Sequence, residues 1–98
     1  KIPKHSLTDE ILWKKAEIYS KTGQFDKAIE NLKLIEENYS DDILADDAVF
    51  KIAQTYEYNL KQLDEAKSYY KKLLLNYSGS IFINEARKHY RSLRGDFK

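Results

Sequence analysis

The chain has 98 residues, 42% hydrophobic and 34% charged, with three glycines, one proline and no cysteine. Such a length fits one domain with a modest core, and 17 basic residues against 16 acidic ones exclude the high net charge and low hydrophobicity of a disordered chain. Disulfide and thiolate chemistry are excluded with the cysteines, and no apolar run longer than Leu73-Leu74-Leu75 is available to span a bilayer as a helix.

Apolar residues recur at helical spacing throughout. A first helix is predicted from Thr8 to Lys21, with Ser6 or Thr8 as cap, Asp9 and Glu10 favoured in its first turn by the helix dipole, and Ile11, Leu12, Ala16, Ile18 and Tyr19 as its apolar positions. Gly23 can take the left-handed conformation that closes it. A second helix spans Asp26 to Asn38, with Ala28, Ile29, Leu32 and Ile35 on one stripe. A third, Leu44 to Tyr58, puts Ala45, Ala48, Val49, Ile52, Ala53 and Tyr56 on one face. A turn over Asn59-Leu60-Lys61-Gln62 leads to a fourth helix, Asp64 to Asn76, carrying Ala66, Tyr69, Tyr70, Leu73 and Leu74. Ser80 is placed to cap a fifth, Phe82 to Arg94, with Ile83, Ala86, Tyr90 and Leu93 inward and Gly95 as its stop.

Internal similarity sets the architecture. Trp13, Ala16 and Tyr19 recur 37 residues later as Phe50, Ala53 and Tyr56. Ala28, Leu32, Ile35, Tyr39 and Ser40 recur 38 residues later as Ala66, Tyr70, Leu73, Tyr77 and Ser78, and Ala48 recurs as Ala86. The extra residue is expected in the turn at 59–62. Small residues at Ala16, Ala28, Ala53 and Ala66 let paired helices approach. No single pair can cover its own apolar face, so the pairs must stack. The expectation is all-α: repeat 1 over about 8–40, repeat 2 over about 44–78, and a capping helix over about 81–95, forming one domain.

The stretch Ala16-x-x-Tyr19-x-x-x-Gly23-x-Phe25-Asp26-x-Ala28-Ile29 resembles the tetratricopeptide repeat family. The second copy keeps Ala53, Tyr56, Leu63, Ala66 and Tyr70 but lacks the turn glycine; Ser40 and Ser78 replace the usual proline, and Lys15 stands where an apolar residue is expected. The resemblance implies a right-handed superhelix, an α-solenoid. With Ile43-Leu44-Ala45 lengthening the front of the third helix and Asp46-Asp47-Ala48 before the family's first helix, it is similar to the longer repeats of bacterial cell-envelope proteins such as outer-membrane assembly lipoproteins. It implies a scaffold or protein–protein interaction segment in the cell envelope or periplasm, cut from the C-terminal part of a larger repeat protein. The opening Lys1-Ile2-Pro3, without methionine or signal-peptide core, fits a fragment.

Carried over by position, the family's concave groove is lined by Glu10, Trp13, Glu17, Asp47, Phe50, Gln54, Glu85 and Lys88. Trp13 and Phe50 are either anchors for an apolar and basic peptide in a mostly acidic rim, or internal packing residues. Leu7, Ile11 and Ile18 would bury against upstream repeats of the same chain or in a homo-oligomer. A structural spacer without a ligand of its own is the alternative.

Other chemistry has little to stand on. His5 falls at the N-terminus, and His89, four residues after Glu85, forms an intrahelical pair. Asp41, Asp42, Asp46 and Asp47 lack an EF-hand's spacing and suit a helix start, so no metal or cofactor is expected. No nucleophile elbow or phosphate-cradling glycine loop is present, and the chain is not expected to be an enzyme. Arg94-Gly95-Asp96 is accounted for by a helix-ending glycine between charges. Charge is polarised: net +2 over 1–25, −6 over 26–47 and +5 over 48–98. Arg87, Lys88, Arg91, Arg94 and Lys98 make the last helix basic, either as a solvated cap or as a salt-sensitive phosphate binder. Nucleic acid is the less favoured partner, since no aromatics interleave with the bases.

Overall fold

A computed structural model of the protein describes residues 9–38 and 43–95. The expected caps Ser6 and Thr8, the face residue Leu7, His5, the loop residues Tyr39 to Asp42, and Asp96 and Lys98 lie outside the described residues. Five helices follow in order among the described ones: α1 (Asp9–Lys21), α2 (Phe25–Asn38), α3 (Ile43–Gln54, extended by a wider turn over Thr55–Asn59), α4 (Leu63–Asn76) and α5 (Ile83–Arg94). Each packs on its neighbour in sequence, as short connections between helices require, and the stack measures 50 × 30 × 17 Å.

Two core clusters share one helix. Leu12, Ala16, Ala28, Ile29, Leu32 and Ile35 from the first pair close around Ala48 and Ile52 of α3. The opposite side of α3 gives Val49, Phe50 and Ala53 to a second cluster with Ala66, Tyr70, Leu73 and, from α5, Ala86. Helix α3 therefore needs apolar residues on two sides, which explains why it is the most hydrophobic of the five. The expected stripe of α2 is buried, the set expected on one face of α3 divides between the two clusters, and Tyr56 of α3 and Tyr69 and Leu74 of α4 are half-buried. On α1 only Leu12 and Ala16 are buried; Ile11 and Ile18 are 42% and 55% exposed, so the expected apolar set of that helix divides between two faces.

The turns inside the two helix pairs show how the copies differ. After α1, Gly23 takes φ +79°, and the Gln24 amide donates to the Tyr19 carbonyl at 2.8 Å. After α3, the Gln62 amide donates to the Tyr56 carbonyl, also at 2.8 Å, across one residue more. The extra residue is not taken up in the turn at 59–62, as expected from the sequence, but in the helix before it: the Leu60 amide reaches back five residues to the Thr55 carbonyl at 3.0 Å, a π turn. Lys61, φ +56°, then occupies the left-handed position that Gly23 fills in the first copy, at a cost glycine avoids. At the far end Gly95, φ +89°, stops α5 and donates to the Arg91 and Ser92 carbonyls. Ser80 acts just ahead of α5, its Oγ accepting the Phe82 amide at 3.0 Å.

Candidate functional site

The first helices of the successive pairs, α1, α3 and α5, share one face, and three hollows run along it. The first, small, lies between Trp13, Ala16, Glu17, Ser20, Leu32 and Lys51. The second, about 400 Å³, is lined by Ser20, Lys21, Phe25, Lys51, Gln54, Thr55, Tyr58 and Asn59. The third, about 360 Å³, lies between Glu57, Tyr58, Glu85, Lys88, His89 and Ser92. Ser20 and Lys51 border the first two and Tyr58 the last two, so the hollows form one track from α1 to α5.

Of the groove residues expected from the sequence, Trp13, Glu17, Gln54, Glu85 and Lys88 border this track. Glu10, exposed on α1, and Asp47, half-buried on α3, border none of its hollows. Burial, and then the neighbouring Asp46, push the Asp47 carboxyl above the usual carboxylate range. Phe50 is a correction. It is 8% exposed, its ring stacks on Phe82 with centroids 4.5 Å apart, and it meets Tyr70 edge-on. It packs α3 onto the approach to α5 and presents no anchor to a ligand.

The aromatic at the centre of the track is instead Tyr58, 52% exposed, which the sequence did not mark as a groove residue; nor did it mark Ser20, Lys21 and Lys51, and it gave His89 only as a partner of Glu85. Tyr58 falls within the π turn, where one extra residue turns the following side chains by about 100° relative to an uninterrupted helix. The change of repeat offset from 37 to 38 residues was the available signal. Partial burial and the carboxylates of Glu57 and Glu85 raise the Tyr58 phenol above its ordinary range.

Beneath Tyr58 the same turn aims Glu57 inward. The Tyr70 hydroxyl donates to Glu57 Oε1 at 2.7 Å, and His89 Nδ1 lies 3.0 Å from the same oxygen. The His89 ring stacks on Tyr70, with centroids 4.9 Å apart, and meets Tyr58 edge-on. Glu85, the expected intrahelical partner, is farther from His89, at 3.7 Å from Nε2. The closer contact thus ties α5 to α3 and α4, which spacing along one helix cannot reveal. Tyr70 is fully buried, and burial together with its bond to Glu57 drives its phenol far above the ordinary range. Both groups have what a buried polar atom needs, and no buried side-chain nitrogen or oxygen among the described residues lacks a partner.

The track is divided in charge. Between α1 and α3 its larger hollow offers Lys21 and Lys51 with the polar groups of Ser20, Gln54 and Asn59, and its smaller one is bordered by Glu17 as well as Lys51. Between α3 and α5 it offers Glu85 and Glu57 beside Lys88 and His89. On the basic last helix, Arg87 is hydrogen-bonded to Asn84 at 2.9 Å and Arg94 lies over the Tyr90 ring at 5.1 Å. Among the described residues no group of three or more histidine, aspartate or glutamate side chains could hold a metal ion, and no helix is long and apolar enough to cross a membrane.

Comparison with protein families agrees with this geometry. One tetratricopeptide repeat model matches residues 9–41 and a second matches residues 47–80. The chain is a tetratricopeptide repeat protein. Neither the curated proteins nor the solved structures contain a significant match to it. Its all-α stack is the family's solenoid, with α1 and α3 as the first helices of two repeats, α2 and α4 as the second, and α5 in the place of a first helix, with no second helix after it among the described residues. Tetratricopeptide repeats are generally non-catalytic protein–protein interaction modules.

Proposed function

We propose that this tetratricopeptide repeat protein binds an extended peptide segment along the α1–α3–α5 face, with Trp13 and Tyr58 as its apolar contacts. The continuous track centred on the half-exposed Tyr58 carries the reading. Its charge division specifies the ligand further. An acidic side chain suits Lys21 and Lys51, and a basic one suits Glu85, on either side of a residue that packs on Tyr58; complementary charges of this kind give selectivity and association rate more than raw affinity. In place of the mostly acidic rim expected from the sequence, this reading puts Lys21 and Lys51 in the larger α1–α3 hollow and Glu17 in the smaller one.

The test is an array of short peptides bearing one carboxylate and one guanidinium side chain at varied separation, probed with the wild-type chain and with Tyr58→Ala, Lys51→Glu and Glu85→Lys. Tyr58→Ala should weaken binding at least about 10-fold, as truncating a central aromatic does. Each charge reversal should shift the preferred peptide toward the opposite charge on its own side. Equal binding by all four proteins contradicts the proposal. The longer second repeat, with Ile43-Leu44-Ala45 at the front of its first helix, supports placing the module in a larger repeat protein of the bacterial cell envelope; fractionation of cells producing the parent protein checks that placement.

A further inference from the structure

Of the hollows along the track, the one between α3 and α5 has an acceptor held in place from behind. Glu57 Oε1 accepts the Tyr70 hydroxyl at 2.7 Å and lies 3.0 Å from His89 Nδ1. Both partners are themselves packed: Tyr70 is fully buried, and the His89 ring stacks on it. Glu57 Oε2 takes no hydrogen bond among the described residues. Since no buried side-chain oxygen there lacks a partner, Oε2 is open to solvent, and of the three hollows Glu57 borders only this one. A carboxylate only accepts, so His89 Nδ1 carries the proton in that contact, and in the neutral ring Nε2 is left as an acceptor. Nε2 lies 3.7 Å from Glu85 Oε1, so the two carboxylates stand on either side of one imidazole. Half-exposed Tyr58 meets the same ring edge-on. The lining adds one lysine, Lys88, which makes no ion pair with either carboxylate among the described residues.

We propose that this hollow is an arginine pocket: it takes the guanidinium of an arginine side chain in the bound peptide, laid on Tyr58 and bonded to Glu57 Oε2 and Glu85. The inference rests on the peptide reading above and names the basic residue which that reading leaves open. A guanidinium is planar and presents five donors in a fixed fork, so it can serve acceptors on two sides at once and lie on an aromatic face. An ammonium is a compact, strongly hydrated point charge with three donors. The hollow offers three acceptors, Glu57 Oε2, the Glu85 carboxylate and His89 Nε2, beside an aromatic ring. The chain makes the aromatic contact elsewhere with its own side chains, where the Arg94 guanidinium lies over the Tyr90 ring at 5.1 Å. A carboxylate already oriented by two bonds loses little further freedom when a ligand arrives, which favours binding. Tyr70 is a positioning residue in this arrangement, acting through Glu57. Lys88 opposes any cation in the hollow.

The experiment titrates three singly charged probes, N-acetyl-arginine amide, N-acetyl-lysine amide and butylguanidine, into the isotopically labelled full chain and follows amide shifts by nuclear magnetic resonance. The arginine probe should move Tyr58, Glu85 and Ser92 and bind at least about 3-fold more tightly than the lysine probe, the margin of one further charge-assisted hydrogen bond. Glu57→Gln and Glu85→Gln should each lower its affinity at least about 3-fold, and Lys88→Gln should raise it. The Glu85 side chain is 61% exposed, so Glu85→Gln reads binding even where Glu57→Gln disturbs the fold. Tyr70→Phe, which frees Glu57 without touching the probe, should narrow the preference for arginine over lysine, a ratio that lost packing alone does not move. Equal affinity for the arginine and lysine probes overturns the proposal. So does an absence of shifts at Tyr58, Glu85 and Ser92, or an affinity unchanged in both carboxylate variants. Tighter binding of butylguanidine than of N-acetyl-arginine amide would assign the hollow to a free guanidino compound and overturn the peptide source. A peptide array without any binder sinks the extended-peptide reading instead, and the single-residue probes, which report on this hollow alone, tell the two failures apart.

Discussion

Tyr70 and Lys61 are the residues whose chemistry is most exposed to test. The buried Tyr70 phenol donates to Glu57 and is held neutral far above the ordinary tyrosine range. A raised folded value means the native state keeps a proton that the unfolded chain gives up, so this stability is complete below about pH 10 and declines above it. In an alkaline absorbance titration, exposed tyrosines should ionise in the native protein, while Tyr70 ionises only with cooperative unfolding. Tyr70→Phe should remove the hydrogen bond and cost about 1–3 kcal/mol in urea denaturation, as leaving a buried partner short does. Lys61, at φ +56°, should respond oppositely: Lys61→Gly relieves left-handed strain and should stabilise by about 0.5–1 kcal/mol. The left-handed site itself was not legible in the sequence, because its marker, a glycine, is missing from the second copy.

At the scale of the helix, α3 carries the argument. Its alanines and β-branched residues made its existence readable, but the sequence set them on one face, whereas a helix between two neighbours is apolar on both sides and its residues divide between the two clusters. What periodicity could not show was the π turn at its end, because an α-helical count through Thr55–Asn59 places Glu57 and Tyr58 one position out of phase. For the same reason the groove role fell partly on Phe50, the repeat counterpart of Trp13, although Phe82 ahead of α5 fills the space beside it. The two aromatics should therefore part company in mutation. Phe50→Ala should cost about 3–5 kcal/mol, typical of a buried phenylalanine, while Tyr58→Ala should change stability by less than about 0.5 kcal/mol, as surface substitutions do, and act on binding instead. Chemical denaturation of the two variants side by side measures this.

Across the whole molecule, stability is shared between neighbours, as in any array where each unit touches only the next. The internal repeat, the family pattern around Ala16, Tyr19 and Ala28, and the unpaired last helix were all legible, because stacking leaves a displaced copy of one pattern in the chain. The candidate site was legible in part: its helix faces follow from the repeat, whereas its cations between α1 and α3, Lys21 and Lys51, are not marked by the repeat pattern. Helices α2 and α4 are tied directly by Lys72 and Glu36. Partly exposed pairs contribute about 1 kcal/mol or less, so Glu36→Gln should lower the melting temperature slightly, and the difference should shrink in high salt.

The measurement that bears most directly on the account is amide and side-chain shift mapping by nuclear magnetic resonance, with the best-binding peptide of the array titrated into isotopically labelled chain. The account predicts changes confined to one strip: Trp13, Ser20 and Lys21 on α1, Lys51, Gln54 and Tyr58 on α3, and Glu85 and Lys88 on α5. Changes centred on the outward faces of α2 and α4, with Tyr58 unmoved, would contradict it.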